Sequence, residues 1–277
     1  MKLLFIGDIV GRAGRTAVSE HLDRLVDRHL VDFIVANGEN AAAGYGLTAP
    51  VLKELFDCGV HVVTSGNHIW DKKEIYPLLE RERRLLRPAN YPPGSPGRGV
   101  GVFETAAGIK VGICNLEGRV FMKNLDCPFR AADRLVAELR EQAAVILVDF
   151  HAEATSEKQA LGYYLDGRVS AVIGTHTHVQ TADERILPGG TGYLTDVGMS
   201  GSQDAVIGNQ KEAALERFLT QQPVRLEVAK KDPQLCAVLL TIDEDSGRCS
   251  GIERIQQKLS WQERGRHETG TGTDGGP

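Results

Sequence analysis

Five short apolar runs in this chain each end on residues that can offer a lone pair to a cation, and this recurrence limits the fold more than any other feature. Residues 2 to 7 close on Gly7-Asp8, and residues 32 to 36 run into Asn37-Gly38-Glu39-Asn40. Residues 60 to 63 end in Thr64-Ser65-Gly66-Asn67-His68, residues 145 to 150 meet His151, and residues 169 to 173 give way to Gly174-Thr175-His176-Thr177-His178. Apolar runs of this length bounded by turn residues read as buried strands. Between them the spacing turns helical. Val18, Leu22, Leu25, Val26 and His29 predict a helix to about Leu30. Thr48 caps a second helix, with Pro50 in its first turn, Val51, Leu52, Leu55 and Phe56 on its apolar face, and Gly59 as its stop. Strands alternating with helices predict an α/β fold. In open α/β sheets ligands bind beyond the carboxyl ends of the strands, so these distant polar residues are expected at one edge.

The remaining segments fill in the plan. Gly11, Arg12, Gly14 and Arg15 read as a loop with solvated arginines, residues 71 to 83 as a helix, and the Pro- and Gly-rich residues 88 to 101 as a surface loop. Residues 100 to 105 and 109 to 116 predict a hairpin through Ala107-Gly108, and Pro128 opens a helix carrying Leu135, Val136 and Leu139. Ser156 and Gln159 have capping-box spacing for a helix to about Asp166. A second hairpin turns on Pro188-Gly189-Gly190, a helix spans 209 to 219, and residues 235 to 242 and 251 to 257 read as closing strands. The hairpins require antiparallel pairing, so mixed sheets are expected. Residues 1 to 264 read as one domain and residues 265 to 277, which lack an apolar anchor, as a flexible tail.

Composition excludes several classes. The chain has 277 residues, 42% of them apolar, and a net charge of −5 without a run of one sign, so neither a membrane span nor a long nucleic-acid partner is expected. Cys58, Cys114, Cys127, Cys236 and Cys249 are odd in number and irregularly spaced, with no CxxC. That pattern predicts reduced thiols in a cytosol. The apolar start is too short for a signal peptide, and the expected location is the cytoplasm.

His176 and His178 stand one residue apart, and an extended backbone would aim both imidazoles to one side. A polar loop that happens to hold two histidines is the other reading. Joined with the other strand ends, the set is carboxylate, amide and imidazole without thiolate, which suits iron, manganese, cobalt, nickel or zinc. Asp8, Glu39, Asn67, His151, His176 and His178 are too many for one ion and enough for two ions sharing a carboxylate, a design known for attack at phosphorus.

Gly7-Asp8, Gly38-Glu39-Asn40, Gly66-Asn67-His68, His151 and Gly174-Thr175-His176-Thr177-His178, in that order, resemble the motifs of the calcineurin-like metallophosphoesterases. Gly7-Asp8-Ile9-Val10-Gly11, Asn37 to Ala42, Ser65 to Asp71, Asp149-Phe150-His151-Ala152-Glu153 and Thr195-Asp196-Val197-Gly198-Met199 are similar to the bacterial YmdB-like branch, over about residues 1 to 257. The resemblance implies two mixed sheets in a sandwich flanked by helices, with the active site at the carboxyl ends of the strands. It also implies a cytoplasmic, oligomeric, dinuclear enzyme, and cyclic-nucleotide phosphodiesterases occur in the branch. The first motif departs from the superfamily's Asp-x-His, because Val10 stands where histidine is usual. The bridging position, usually Asp, is Glu39, and Asn40 substitutes for the missing histidine.

By the same resemblance one metal takes Asp8, Glu39, Asn40 and His178, and the other takes Glu39, Asn67, His151 and His176. Iron or manganese leads the choice. His68 is then no ligand but a general acid or a stabiliser of phosphate charge, with a ligand-orienting role as the alternative. Asp149 stands two residues before His151 and either orients it or merely ends a strand. His21, His29, His61 and His267 are assigned no chemistry, the first two being placed on a helix surface. The expected reaction is hydrolysis of a phosphodiester, a 2′,3′- or 3′,5′-cyclic nucleotide, by a metal-bridging hydroxide. A phosphomonoesterase is the alternative, as is a regulatory protein that keeps the metals and acts through a partner.

Overall fold

The computed structural model describes residues 1–259, so the expected tail at residues 265 to 277 and the last residues of the expected domain lie outside the described residues. Two sheets face each other. In the first, β1 (Lys2–Ile6), β3 (Phe33–Asn37) and β4 (Val62–Thr64) are parallel neighbours. Antiparallel β12 (Pro233–Ile242) pairs with β1 and carries β13 (Cys249–Lys258). Short β2 (Asp8–Ile9) joins this sheet through β11 (Met199–Ser202). The second sheet runs β5 (Val100–Glu104), β6 (Lys110–Glu117), β7 (Val145–His151), β8 (Ala171–Thr175), β10 (Gly192–Leu194), β9 (Arg185–Ile186). Its four inner strands are parallel and a hairpin stands at each end.

Alternation along the strands explains the layers. Leu3, Phe5, Phe33 and Val35 point between the sheets, against Val111, Ile113, Leu147 and Ile173. Leu4, Ile6, Ile34 and Ala36 point the other way, under α1 (Gly11–His29), α2 (Ala49–Asp57) and α3 (Tyr76–Arg81). Ile146, Val148, Phe150 and Val172 do the same for the second sheet, under α4 (Pro128–Arg140) and α5 (Thr155–Tyr164). Because both strand faces are covered, these strands read as unbroken apolar runs. The two-sheet sandwich flanked by helices is thus present, and among the described residues no helix is long and apolar enough to cross a membrane.

Several local expectations need correction. The Gly11 to Arg15 stretch is the first turn of α1, because a helix must start there to pack on β11: a Cβ at Gly14 would lie 2.3 Å from the Ser200 carbonyl. Arg15 is neither solvated nor free, since it pairs with Glu54 at 2.7 Å and donates to the Ala41 carbonyl. His21 is buried, only 5% exposed, on the inner face of α1. The helix expected over residues 71 to 83 is a 3₁₀ turn at Lys73–Ile75 followed by the short α3. The capping box at Ser156 does not form; α5 starts two residues earlier than such a cap would place it, after Ala154. The loop after Pro88 is partly interior, with Asn90 bonding across to Glu117 and Asp126. The five cysteines are free thiols, and burial pushes Cys114 up to about 12.

Candidate metal centre

The carboxyl ends of β1, β3 and β4 in one sheet and of β7 and β8 in the other meet at one edge of the sandwich. The predicted residues arrive there in small groups, each at or just after the end of a strand. Asp8, in β2, is locked by pairing opposite Met199, and Glu39 and Asn40 follow β3 directly. Asn67 and His68 follow β4, His151 is the last residue of β7, and His176 and His178 follow β8. Asp8, Glu39 and His151 are fully buried and Asn40 nearly so, whereas Asn67, His68, His176 and His178 are half-buried at the mouth. Donor atoms of Glu39, His151 and His176 lie within 4.8 Å of one another, and so do those of Asp8, Glu39 and His178. Glu39 belongs to both groups.

The outer nitrogens of the three imidazoles are all engaged. His151 Nδ1 lies 2.9 Å from Thr175 Oγ1, whose own proton goes to Asp149 Oδ1 at 2.8 Å, so Nδ1 donates. His178 Nδ1 donates to the Ile207 carbonyl at 3.0 Å, and His176 Nε2 faces Glu153 at 3.2 Å. What remains turned inward is His151 Nε2, 3.2 Å from Glu39 Oε1, 3.0 Å from Asn67 Oδ1 and 3.0 Å from His176 Nδ1. Fixing the outer proton on a histidine is how proteins prepare the other nitrogen for a metal. Asp8 Oδ1 and Asn40 Oδ1 are buried acceptors without a hydrogen-bond partner, a costly condition unless a cation meets them.

The electrostatics agree. Burial opposes charge on His151, yet Glu39 and Asp8 outweigh it and carry the imidazole up to about 9. Burial likewise pushes Glu39 up, but His151 and the His68 N–H, 3.0 Å from Oε2, hold the carboxyl well below its ordinary range. Burial raises Asp8, and burial together with His151 pushes His176 down to about 3. The pocket therefore favours positive charge between Glu39 and the imidazoles and disfavours it on His176. Hard carboxylate and amide oxygens beside imidazole nitrogens, with no thiolate, fit a first-row transition metal.

The two terminal histidines reach the cluster by a route the sequence did not predict. β8 ends at Thr175, and His176 and His178 have φ of 98° and 65°. They do not project from one extended strand; each side chain is swung by left-handed backbone toward a different group of donors. Such non-glycine conformations cost about 1–3 kcal/mol each and persist where surroundings impose them. Here Asp196 imposes the turn. Its Oδ2 accepts from the Thr177 N–H at 3.1 Å and hydroxyl at 2.7 Å, and from Lys158 at 2.7 Å in a fully buried ion pair.

Asp149 orients His151 through Thr175 and also accepts from Thr64 at 2.5 Å and Asn37 at 3.1 Å. Burial outweighs these bonds and pushes its carboxyl up to about 7. Asn37 is spent on Asp149 and on the Glu39 N–H, and is not one of the donors. Thr175, Glu153 and Asp71, quoted above only within longer motifs, and Ile207 act here without a role having been assigned to them. Asp71 holds His68 Nδ1 at 2.8 Å, leaving Nε2 as the free nitrogen of the ring. A cleft of about 330 Å³ opens over the donors and is lined by His68, Tyr45, Glu153, His176 and His178 among others.

The comparisons with known proteins point the same way. The family model described as YmdB-like protein matches residues 4–255. A Bacillus subtilis (strain 168) protein named 2′,3′-cyclic-nucleotide 2′-phosphodiesterase is 49% identical over 255 residues, covering 92% of this chain and 96% of that one. A Thermus thermophilus structure described as a hypothetical protein has a TM-score of 0.88 at 47% identity, covering 94% and 100% of the two chains. A structure described as a novel phosphatase from Mycoplasma pneumoniae also has a TM-score of 0.88, at 34% identity with 93% of each chain covered. With the family model matching almost end to end and the sandwich shared with these structures, the chain belongs to the YmdB-like family, and with it to the hydrolases.

Proposed function

We propose that this chain is a dinuclear metal-dependent phosphodiesterase that opens 2′,3′-cyclic nucleotides, acting through residues 1–264 as one cytoplasmic domain. The observation that carries the reading is the two groups of donors joined by Glu39, with every outer imidazole nitrogen already engaged. Asp8, Glu39, Asn40 and His178 would hold one ion, and Glu39, Asn67, His151 and His176 the other, with iron or manganese preferred. A bound pair would polarise the phosphoryl oxygens and lower the pKa of water from 15.7 towards about 7.

The chain's own residues do the rest. His68 stands at the mouth, half-exposed, with Asp71 fixing Nδ1 so that Nε2 can give a proton to the departing oxygen. In a 2′,3′-cyclic substrate the bond from phosphorus to O2′ breaks and the oxygen of water joins phosphorus. O2′ takes its proton from His68, which the water replaces, and a nucleoside 3′-phosphate results. The name of the Bacillus subtilis relative favours this ring over the 3′,5′ one. The free cysteines fit a reducing compartment. The exposed face of α6 (Lys211–Thr220), with Leu215, Phe218 and Leu219, fits a homo-oligomer.

The test is elemental analysis of purified protein joined to a phosphoester panel. Two equivalents of metal per chain are expected, with turnover of a 2′,3′-cyclic nucleotide abolished by chelation. His68→Ala is expected to lower kcat about 10²- to 10⁴-fold while metal content holds. A simple monoester turned over in preference to every diester would make the chain a phosphomonoesterase, the reading favoured by the Mycoplasma pneumoniae structure's description. Metal without turnover, and a cellular effect that survives His68→Ala, would make it a regulator.

A further inference from the structure

The cleft above the donors has two unlike walls. One is polar and belongs to the centre already described. The other is built of Tyr45, Ile207, Asn209, Leu226 and Val228, and no step of the hydrolysis uses it. Apart from Tyr45, these residues belong to a small flap of irregular backbone: Asn209 forms isolated bridges with both Val206 and Val228, and the Ala229 N–H donates to the Gly208 carbonyl at 2.8 Å. Val228 seats the flap on the molecule by filling the room above Gly11 and Gly44, where a Cβ on Gly44 would lie 2.3 Å from its side chain. The Ile207 carbonyl ties the same flap to His178 Nδ1 at 3.0 Å. Ile207 remains 53% exposed, and Tyr45 and Leu226 are half-buried. The wall is therefore fixed in place but not covered.

Its position relative to His68 gives it a use. The Tyr45 ring stands 5.0 Å from the His68 ring, edge to face at 66°. If His68 gives its proton to the departing 2′ oxygen, the ribose bearing that oxygen lies beside His68, which leaves Tyr45 within reach of the base it carries. We infer that Tyr45 and the flap residues Ile207, Asn209, Leu226 and Val228 form a nucleobase subsite: Tyr45 stacks on the base, the aliphatic side chains close over its edge, and the Asn209 amide meets its polar rim. The inference rests on the phosphodiesterase reading for its orientation. Aromatic stacking tolerates every base, whereas an amide at the rim supplies a preference among them. The volume of about 330 Å³ is near the lower limit of small-molecule sites, about 300 Å³, and fits one nucleotide rather than a chain of them.

The test compares substrates that share the reacting ring and differ in the base. Metal-loaded protein is assayed with 2′,3′-cyclic AMP and with methyl β-D-ribofuranoside 2,3-cyclic phosphate, and calorimetry measures binding of adenosine 3′-monophosphate against methyl β-D-ribofuranoside 3-phosphate. A KM about tenfold lower and tighter binding are expected for the members that carry a base. Tyr45→Ala is expected to erase most of that preference in KM and in binding, and Tyr45→Phe, which keeps the ring, to retain it. Leu226→Ala, on the flap, is expected to lessen it in the same direction. Equal KM and equal binding with and without the base in the unaltered protein would overturn the subsite while leaving the phosphodiesterase reading in force. So would a preference that Tyr45→Ala and Leu226→Ala both leave intact. Turnover of neither diester would instead remove the phosphodiesterase reading, and the calorimetry would then decide the subsite alone.

Discussion

His151 is held from three sides: Thr175 at Nδ1, the inward donors at Nε2, and Gly66 against the face of its ring. A Cβ at Gly66 would lie 2.1 Å from the imidazole, so even alanine cannot be added without moving it. Gly66→Ala is therefore expected to leave the sandwich folded but to displace His151, and a shift of about 1 Å in such a group costs on the order of 10²-fold in rate. Steady-state turnover with circular dichroism as the control checks this, and unchanged kcat would show that the ring has another resting place. The strand-end residues themselves were readable from the sequence because a lone-pair donor after each of five buried runs is a local pattern. The left-handed backbone of His176 and His178 was not, because neither residue favours it and only the tie to Asp196 imposes it.

At the scale of elements, α5 contributes to the centre without touching it. Lys158, on that helix and 1% exposed, crosses to Asp196, which in turn grips Thr177 between the two histidines. Removing one partner of a buried ion pair leaves the other charge unpaired, at about 3–5 kcal/mol. Lys158→Met is expected to lower the Tm by about 10 °C and to weaken metal affinity about 10- to 100-fold, since the turn carrying two donors loses its anchor. Calorimetry and metal titration read the two effects, and a loss of stability without a loss of affinity would separate Asp196 from the centre. The helix and its approximate place were legible; the ion pair was not, because nothing local links residues 158 and 196. Two-residue β2 and four-residue β11 escaped notice for the same reason: they exist only through each other and β12.

On the scale of the whole molecule, the α/β order of the first 175 residues was legible and the division into two sheets was not, apart from the family resemblance. Periodicity says that a strand is buried on both faces but not what covers each one. Asp149 shows how the sheets are bolted at the active edge: from β7 it accepts bonds from Asn37 on β3 and Thr64 on β4. Phe5, fully buried between the layers, is expected to cost about 3–5 kcal/mol when replaced by alanine. Phe218, 72% exposed on α6, is expected to cost less than about 0.5 kcal/mol in the isolated chain. Denaturant titration of both variants checks the contrast.

Glu39 comes from one layer, His151 and His176 from the other, so any cation gripped among them is a rivet through both. Prising the layers apart and shedding the ion should then be a single cooperative rupture, with metal release and loss of the inner core sharing one midpoint on heating.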